Sequence, residues 1–104
     1  MGVIQKFTLP DLVDYQDGSV VSKTLVKKEA GTVTIFAFDK GQGLSEHTAP
    51  FDVFVTIMEG EAEITVNQEK EILKAGESIQ LPSDQPHSLK ATKRFKMLLL
   101  MIKS

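Results

Sequence analysis

Turn-forming residues interrupt this chain so regularly that no window of a dozen residues carries a helical stripe. Glycine, asparagine and aspartate mark turns at 30–31, 39–43, 59–60, 67–69 and 75–76, and the intervals between them are short. The segments 20–29, 32–38, 54–58, 62–66, 78–81 and 95–102 are rich in β-branched and aromatic residues, and several alternate with period two. In 61–66, Ala62, Ile64 and Val66 share one face, and Glu61, Glu63 and Thr65 share the other. Residues 11–15 have room for one short turn. Eight or more short strands at this spacing predict a sandwich or closed barrel, and nothing divides residues 1–104, so one all-β domain is expected.

Composition narrows the chemistry. Of the 104 residues 41% are hydrophobic, too many for a disordered chain, and this length buries a core without staples. There is no cysteine, which excludes disulfides, thiol nucleophiles, zinc ribbons and iron–sulfur ligation. Twelve basic and fourteen acidic side chains leave a net charge of −2, which argues against a nucleic-acid partner. The basic cluster Lys90, Lys93, Arg94, Lys96 and Lys103 reads as a solvated turn, far in sequence from the sole tyrosine, Tyr15. The first dozen residues lack a signal-peptide pattern, and the apolar run 97–102 is far too short to span a bilayer. The expectation is a cytoplasmic protein with no membrane partner.

The last strand-like segment, 95–102, is apolar on both faces. Phe95, Met97, Leu99 and Met101 look one way, and Leu98, Leu100 and Ile102 the other. One face suits a barrel interior. The other needs a second layer: another sheet, the N-terminal segment or a partner subunit.

The two histidines, His47 and His87, each follow a turn at a strand edge. Residues 41–60 have the spacing G-x5-H-x-H-x3-4-E-x6-G, except that Ala49 replaces the second histidine and Val53 the glutamate. Residues 76–91 match G-x5-P-x-G-x2-H-x3-N through Gly76, Pro82 and His87, with Asp84 and Ala91 replacing the glycine and asparagine. With both frames in order, the sequence resembles a small single-domain cupin over roughly residues 32–100. The resemblance implies a jelly-roll β-barrel, a double-stranded β-helix, and a homodimer. It also implies that His47 and His87 meet inside the barrel, where metal-binding cupins hold a metal with three histidines and a glutamate.

Only half of that set is here. Two imidazoles fall short of the three protein ligands usual for catalytic zinc or the two histidines and carboxylate of non-haem iron. Glu46, Asp52 and Gln42 are the candidate third ligands. Glu46 and Asp52 are out of phase with an inward face unless the strand is kinked near Pro50. Ala49, Val53, Val55, Ile57, Leu89 and Met97 are the expected pocket wall. The expected occupants are a small molecule and a divalent iron, zinc, nickel, manganese or copper ion. Any catalysis would be metal-assisted oxygenase or isomerase chemistry, or acid–base work by one imidazole. The alternatives are a non-catalytic small-ligand sensor and a structural interaction module. Phe54 and Met58, out of phase with the pocket, are candidates for a dimer contact. Gly41-Gln42-Gly43 lacks the third glycine and helix of a dinucleotide loop, and residues 43–47 lack the final glycine of a nucleophile elbow. Glu61 and Glu63 read as solvated.

Overall fold

A computed structural model describes residues 4–103. Eight strands are formed among them: β1 (Val20–Lys28), β2 (Gly31–Phe38), β3 (Gly43–His47), β4 (Asp52–Val66), β5 (Glu69–Lys74), β6 (Ser78–Leu81), β7 (His87–Lys90) and β8 (Phe95–Ile102). Before them comes a 3-10 turn, Leu9–Leu12. The single turn expected at 11–15 therefore lies slightly earlier, where Pro10 presets the backbone at its start. All pairings are antiparallel, and they curl the chain into a jelly-roll barrel.

β4 holds the two layers together. Its first half pairs with β8 on one side and β6 on the other, within the layer β1-β2-β8-β4-β6. Its second half pairs with β5 and β7, within the layer β5-β4-β7-β3. The hairpin expected at 59–60 is thus a bend inside one 15-residue strand. The register slips between Ile57 and Glu59, leaving Met58 as the extra residue of a bulge. Gly60 follows with φ +80°, and a Cβ there would lie 1.9 Å from the carbonyl oxygen of Arg94. Only glycine fits that corner.

The alternation of side chains decides the core. Phe38, Val53, Val55, Ile57, Ala62, Ile64, Leu81, Leu89, Phe95 and Met97 pack in one buried cluster inside the barrel, with Phe38 stacked on Phe95 at 4.5 Å. A smaller cluster lies on the outer face of the first layer. There Leu9, Leu12, Val13 and Tyr15 of the N-terminal segment cover Ile35, Ala37, Met58 and Leu98. So the N-terminal segment supplies the second layer over the upper part of β8, and Met58 lies beneath it. Phe54 does not: it stays 45% exposed.

Of the basic cluster, Lys90, Lys93 and Lys103 are exposed as a solvated turn requires, whereas Lys96 and Arg94 depart from that reading. Lys96 is 8% exposed and donates from Nζ to the Pro10 carbonyl at 2.7 Å, with the Glu59 carboxylate at 3.5 Å. Arg94 donates to Asp39 at 2.7 Å and to Asp17 at 2.8 Å. The Tyr15 ring lies about 5 Å from both cations. Burial, with Glu59 alongside, holds the Tyr15 phenol protonated well above its usual range. Glu63 is also less solvated than expected, with 19% of its side chain exposed and Lys70 at 3.3 Å.

Candidate functional site

β3 and β7 bring the two histidines together. Leu44 stands opposite Leu89, and His47 stands opposite His87. Two residues, Ser45 and Glu46, lie between Leu44 and His47 on β3, but only Ser88 lies between His87 and Leu89 on β7. The difference is a bulge at Ser45 and Glu46, which returns His47 to the face shared by Leu44, His87 and Leu89. This bulge lies upstream of His47, and near Pro50, where a kink was expected, the chain leaves the sheet between the end of β3 at His47 and the start of β4 at Asp52.

The rings lie 4.4 Å apart between centroids at an interplanar angle of 65°. Each repeats the same local contact. His47 Nδ1 is 2.8 Å from the Ser45 carbonyl oxygen, and His87 Nδ1 is 3.0 Å from that of Gln85. A carbonyl can only accept, so both Nδ1 atoms carry the proton and each neutral ring presents a lone pair at Nε2. Among the described residues neither Nε2 has a protein hydrogen-bond partner. His87 is 6% exposed and sits beside Val66 of β4, whereas His47 is exposed on an edge strand. The site is therefore a mouth with one buried wall.

Nearby loops are tied down around this mouth. The Asn67 side-chain amide bonds to Gln85, and the Asn67 N–H donates to the Pro86 carbonyl at 3.1 Å. Asp84, in the slot where the second motif has glycine, adopts φ +65°, and its N–H donates to the Ala49 carbonyl at 2.8 Å. The substitution keeps the left-handed turn that delivers His87, because aspartate tolerates that region better than most residues. Gly41 and Gly76 are likewise left-handed, at +88° and +90°.

The three candidate third ligands are scattered. Glu46 is exposed in the bulge and lines a groove on β3 and β7 together with Gln42. Gln42 is five residues before His47, about 15 Å along a strand, and its backbone bonds to Asp39 and Ala91. Asp52 starts β4, and its carboxylate accepts from the Ser83 N–H at 3.1 Å. Among the described residues no three His, Asp or Glu side chains come together to hold a metal ion. Of the expected wall, Val53, Val55, Ile57, Leu89 and Met97 belong to the packed core, and Ala49 is half-buried.

One feature escaped the sequence reading. A groove of about 340 Å³ opens beside Val66, lined by Asn67, Glu69, Glu71, Ile79 and Gln80. Its signal was the alternation of Glu69, Glu71 and Leu73, since Leu73 is buried and residues two apart share its face.

No helix among the described residues is long and apolar enough to cross a membrane. No curated protein matches the sequence. A conserved protein of unknown function from Streptococcus pyogenes is similar at 36% identity over all of this chain and 91% of its own, with a TM-score of 0.93. A cupin 2 conserved barrel domain protein from Leptotrichia buccalis is 45% identical over 93% of this chain, with a TM-score of 0.91, and this chain spans 47% of its length. A cupin superfamily protein from Desulfitobacterium hafniense shares 25% identity over all of this chain and 95% of its own, at a TM-score of 0.93. The cupin domain model matches residues 34–103. With both histidines, the motif glycines and strands β3 to β8 falling inside that span, the chain belongs to the cupin domain family.

Proposed function

We propose that this chain binds a small molecule at the barrel mouth, against the Nε2 atoms of His47 and His87. One observation carries the reading: two facing imidazoles whose Nδ1 protons are both engaged by carbonyls. Paired Nε2 lone pairs accept hydrogen bonds from hydroxyl or amine groups, and a ring that takes up a proton there becomes a donor to an oxygen. The same pair can act as acid and base on one ligand, or hold it without turnover as a sensor does.

A metal is the second reading, favoured by the carbonyl-oriented rings, an arrangement common among histidine ligands. The rest of the donor set does not fit the family's four-ligand site. Ala49 and Val53 carry no donor atom, and no third carboxylate or imidazole among the described residues completes the pair. Oxygenase or isomerase chemistry of the metal-assisted kind thus has no complete ligand set to rest on. Iron, zinc, nickel, manganese or copper would have only two protein ligands.

The test is metal content of tag-free protein purified without chelator, together with a thermal-shift screen of small polyols, amines and carboxylates. Both are repeated on His47→Ala and His87→Ala. The expected result is far less than one metal per chain, with stabilising ligands whose effect disappears in both variants. A ligand at a hundred times its Kd adds about 2.7 kcal/mol of stability, a shift such a screen resolves. Near one metal per chain, lost in both variants, overturns the metal-free reading. Ligands that stabilise both variants as well as the parent overturn the site itself.

A further inference from the structure

The row of side chains that holds the two histidines continues across the whole second layer. His47 stands opposite His87, His87 opposite Val66, and Val66 opposite Glu69, so four strands set these residues in one line on the inner face. Ile64 and Leu89, in the row behind, belong to the packed core and close the floor. At the far end of the line, Glu69 and Glu71 flank the groove between β5 and β6, the outer strands of the two layers.

β5 sorts its charges by phase. Glu69 and Glu71 share the face of buried Leu73, whereas Lys70 and Lys74 lie on the opposite face, where Lys70 meets Glu63. Among the described residues neither Glu69 nor Glu71 pairs with a cation. The turn that presents Glu69 is braced. Asn67 and Gln68 take φ +48° and +70°, the two left-handed residues of a tight hairpin. The Asn67 side chain is bonded to that of Gln85, whose carbonyl in turn orients His87. Carboxylates and imidazoles are thus carried on one rim.

We infer that this row is a single site for a small amino alcohol, with the ammonium on Glu69 and Glu71, the hydroxyl on the Nε2 atoms and the carbon chain over Val66. The inference rests on the ligand site proposed at the histidines and names its ligand class. His87 ties the carboxylates to that site: it is 6% exposed, and its unpartnered Nε2 belongs to the same row. An ammonium suits the acidic end better than a metal ion does. No third His, Asp or Glu joins the two carboxylates among the described residues, and three rotatable N–H donors need none. Two strand spacings, about 10 Å, separate Glu69 from His87. Contacts of about 2.8 Å at each end leave on the order of 4 Å between the ligand's nitrogen and oxygen, roughly the span of two or three carbons.

Nuclear magnetic resonance titration of the full chain tests this, with 3-amino-1-propanol as probe and 1,3-propanediol as its uncharged counterpart at matched neutral pH. The chain has two histidines, so two sets of imidazole signals report one end of the row. The amides of Glu69 and Glu71 report the other. The amino alcohol is expected to move both ends and to bind about tenfold more tightly than the diol. Combining Glu69→Gln with Glu71→Gln should abolish that preference, whereas Glu29→Gln, in the turn between β1 and β2, should keep it. Imidazole signals that respond alike to both probes, in the parent and in the double variant, overturn the amine assignment and leave the histidine site standing. Shifts at Glu69 and Glu71 with silent imidazoles overturn the histidine site, and with it the single row. An amino alcohol that moves neither end overturns the proposal outright.

Discussion

Single residues set the corners and the mouth. Gly60 and Gly41 both have positive φ, yet a Cβ at Gly60 meets Arg94 backbone at 1.9 Å and one at Gly41 meets nothing within 4 Å. Gly41→Ala should therefore cost only the backbone strain, about 1 kcal/mol, and Gly60→Ala about 3 kcal/mol or more. Urea unfolding of the two variants separates strain from collision. The histidines should differ in the same assay: His47→Ala, exposed, stays within about 0.5 kcal/mol of the parent, and His87→Ala, buried and hydrogen-bonded, loses about 1–2 kcal/mol. Asp39 gives a pH signature. The Gly18 N–H and then Arg94 hold its carboxyl below the ordinary range. Its contribution is complete above the unfolded carboxylate value and disappears as pH falls through the lower folded one. Melting curves between pH 6 and 2 should show a shallower acid loss for Asp39→Asn than for the parent.

At the scale of elements, the sequence was most readable where alternation was strict. β6 and β8 have the limits their patterns predicted, and the two apolar faces of 95–102 sorted into the barrel core and the outer cluster as their phase required. Legibility failed at β4, where Glu59-Gly60 carries the composition of a hairpin turn but the chain continues through it. Local residues report the backbone angle at Gly60, and only the pairing of β4 with both layers decides that it is a bend. The meeting of His47 and His87 was legible through the spacing of two motifs; the bulge that makes it possible was not, since Ser45 and Glu46 bear no bulge signature. The Arg94–Tyr15–Lys96 contact joins residues about eighty positions apart, beyond any local pattern. Its role is to fasten the N-terminal segment. Lys96→Met should therefore expose Leu12 and Val13 to faster amide exchange while leaving β4 unaffected, measurable by hydrogen exchange.

For the whole molecule, neighbours in space are distant in sequence: β2 beside β8, β3 beside β7, β4 beside β8. Loop closure must precede most of the stabilising contacts, so refolding should take milliseconds to seconds by stopped-flow fluorescence of Tyr15, not microseconds. Because β4 belongs to both layers, neither can detach while the other persists, except at the margins. β3 is such a margin, paired only with β7. His47 therefore travels with the strand that opens at least cost, and His87 with one fixed on both sides. The two jaws of the mouth differ in stiffness, so the gap between the imidazoles widens by the breathing of a single five-residue leaf, with the barrel behind it at rest.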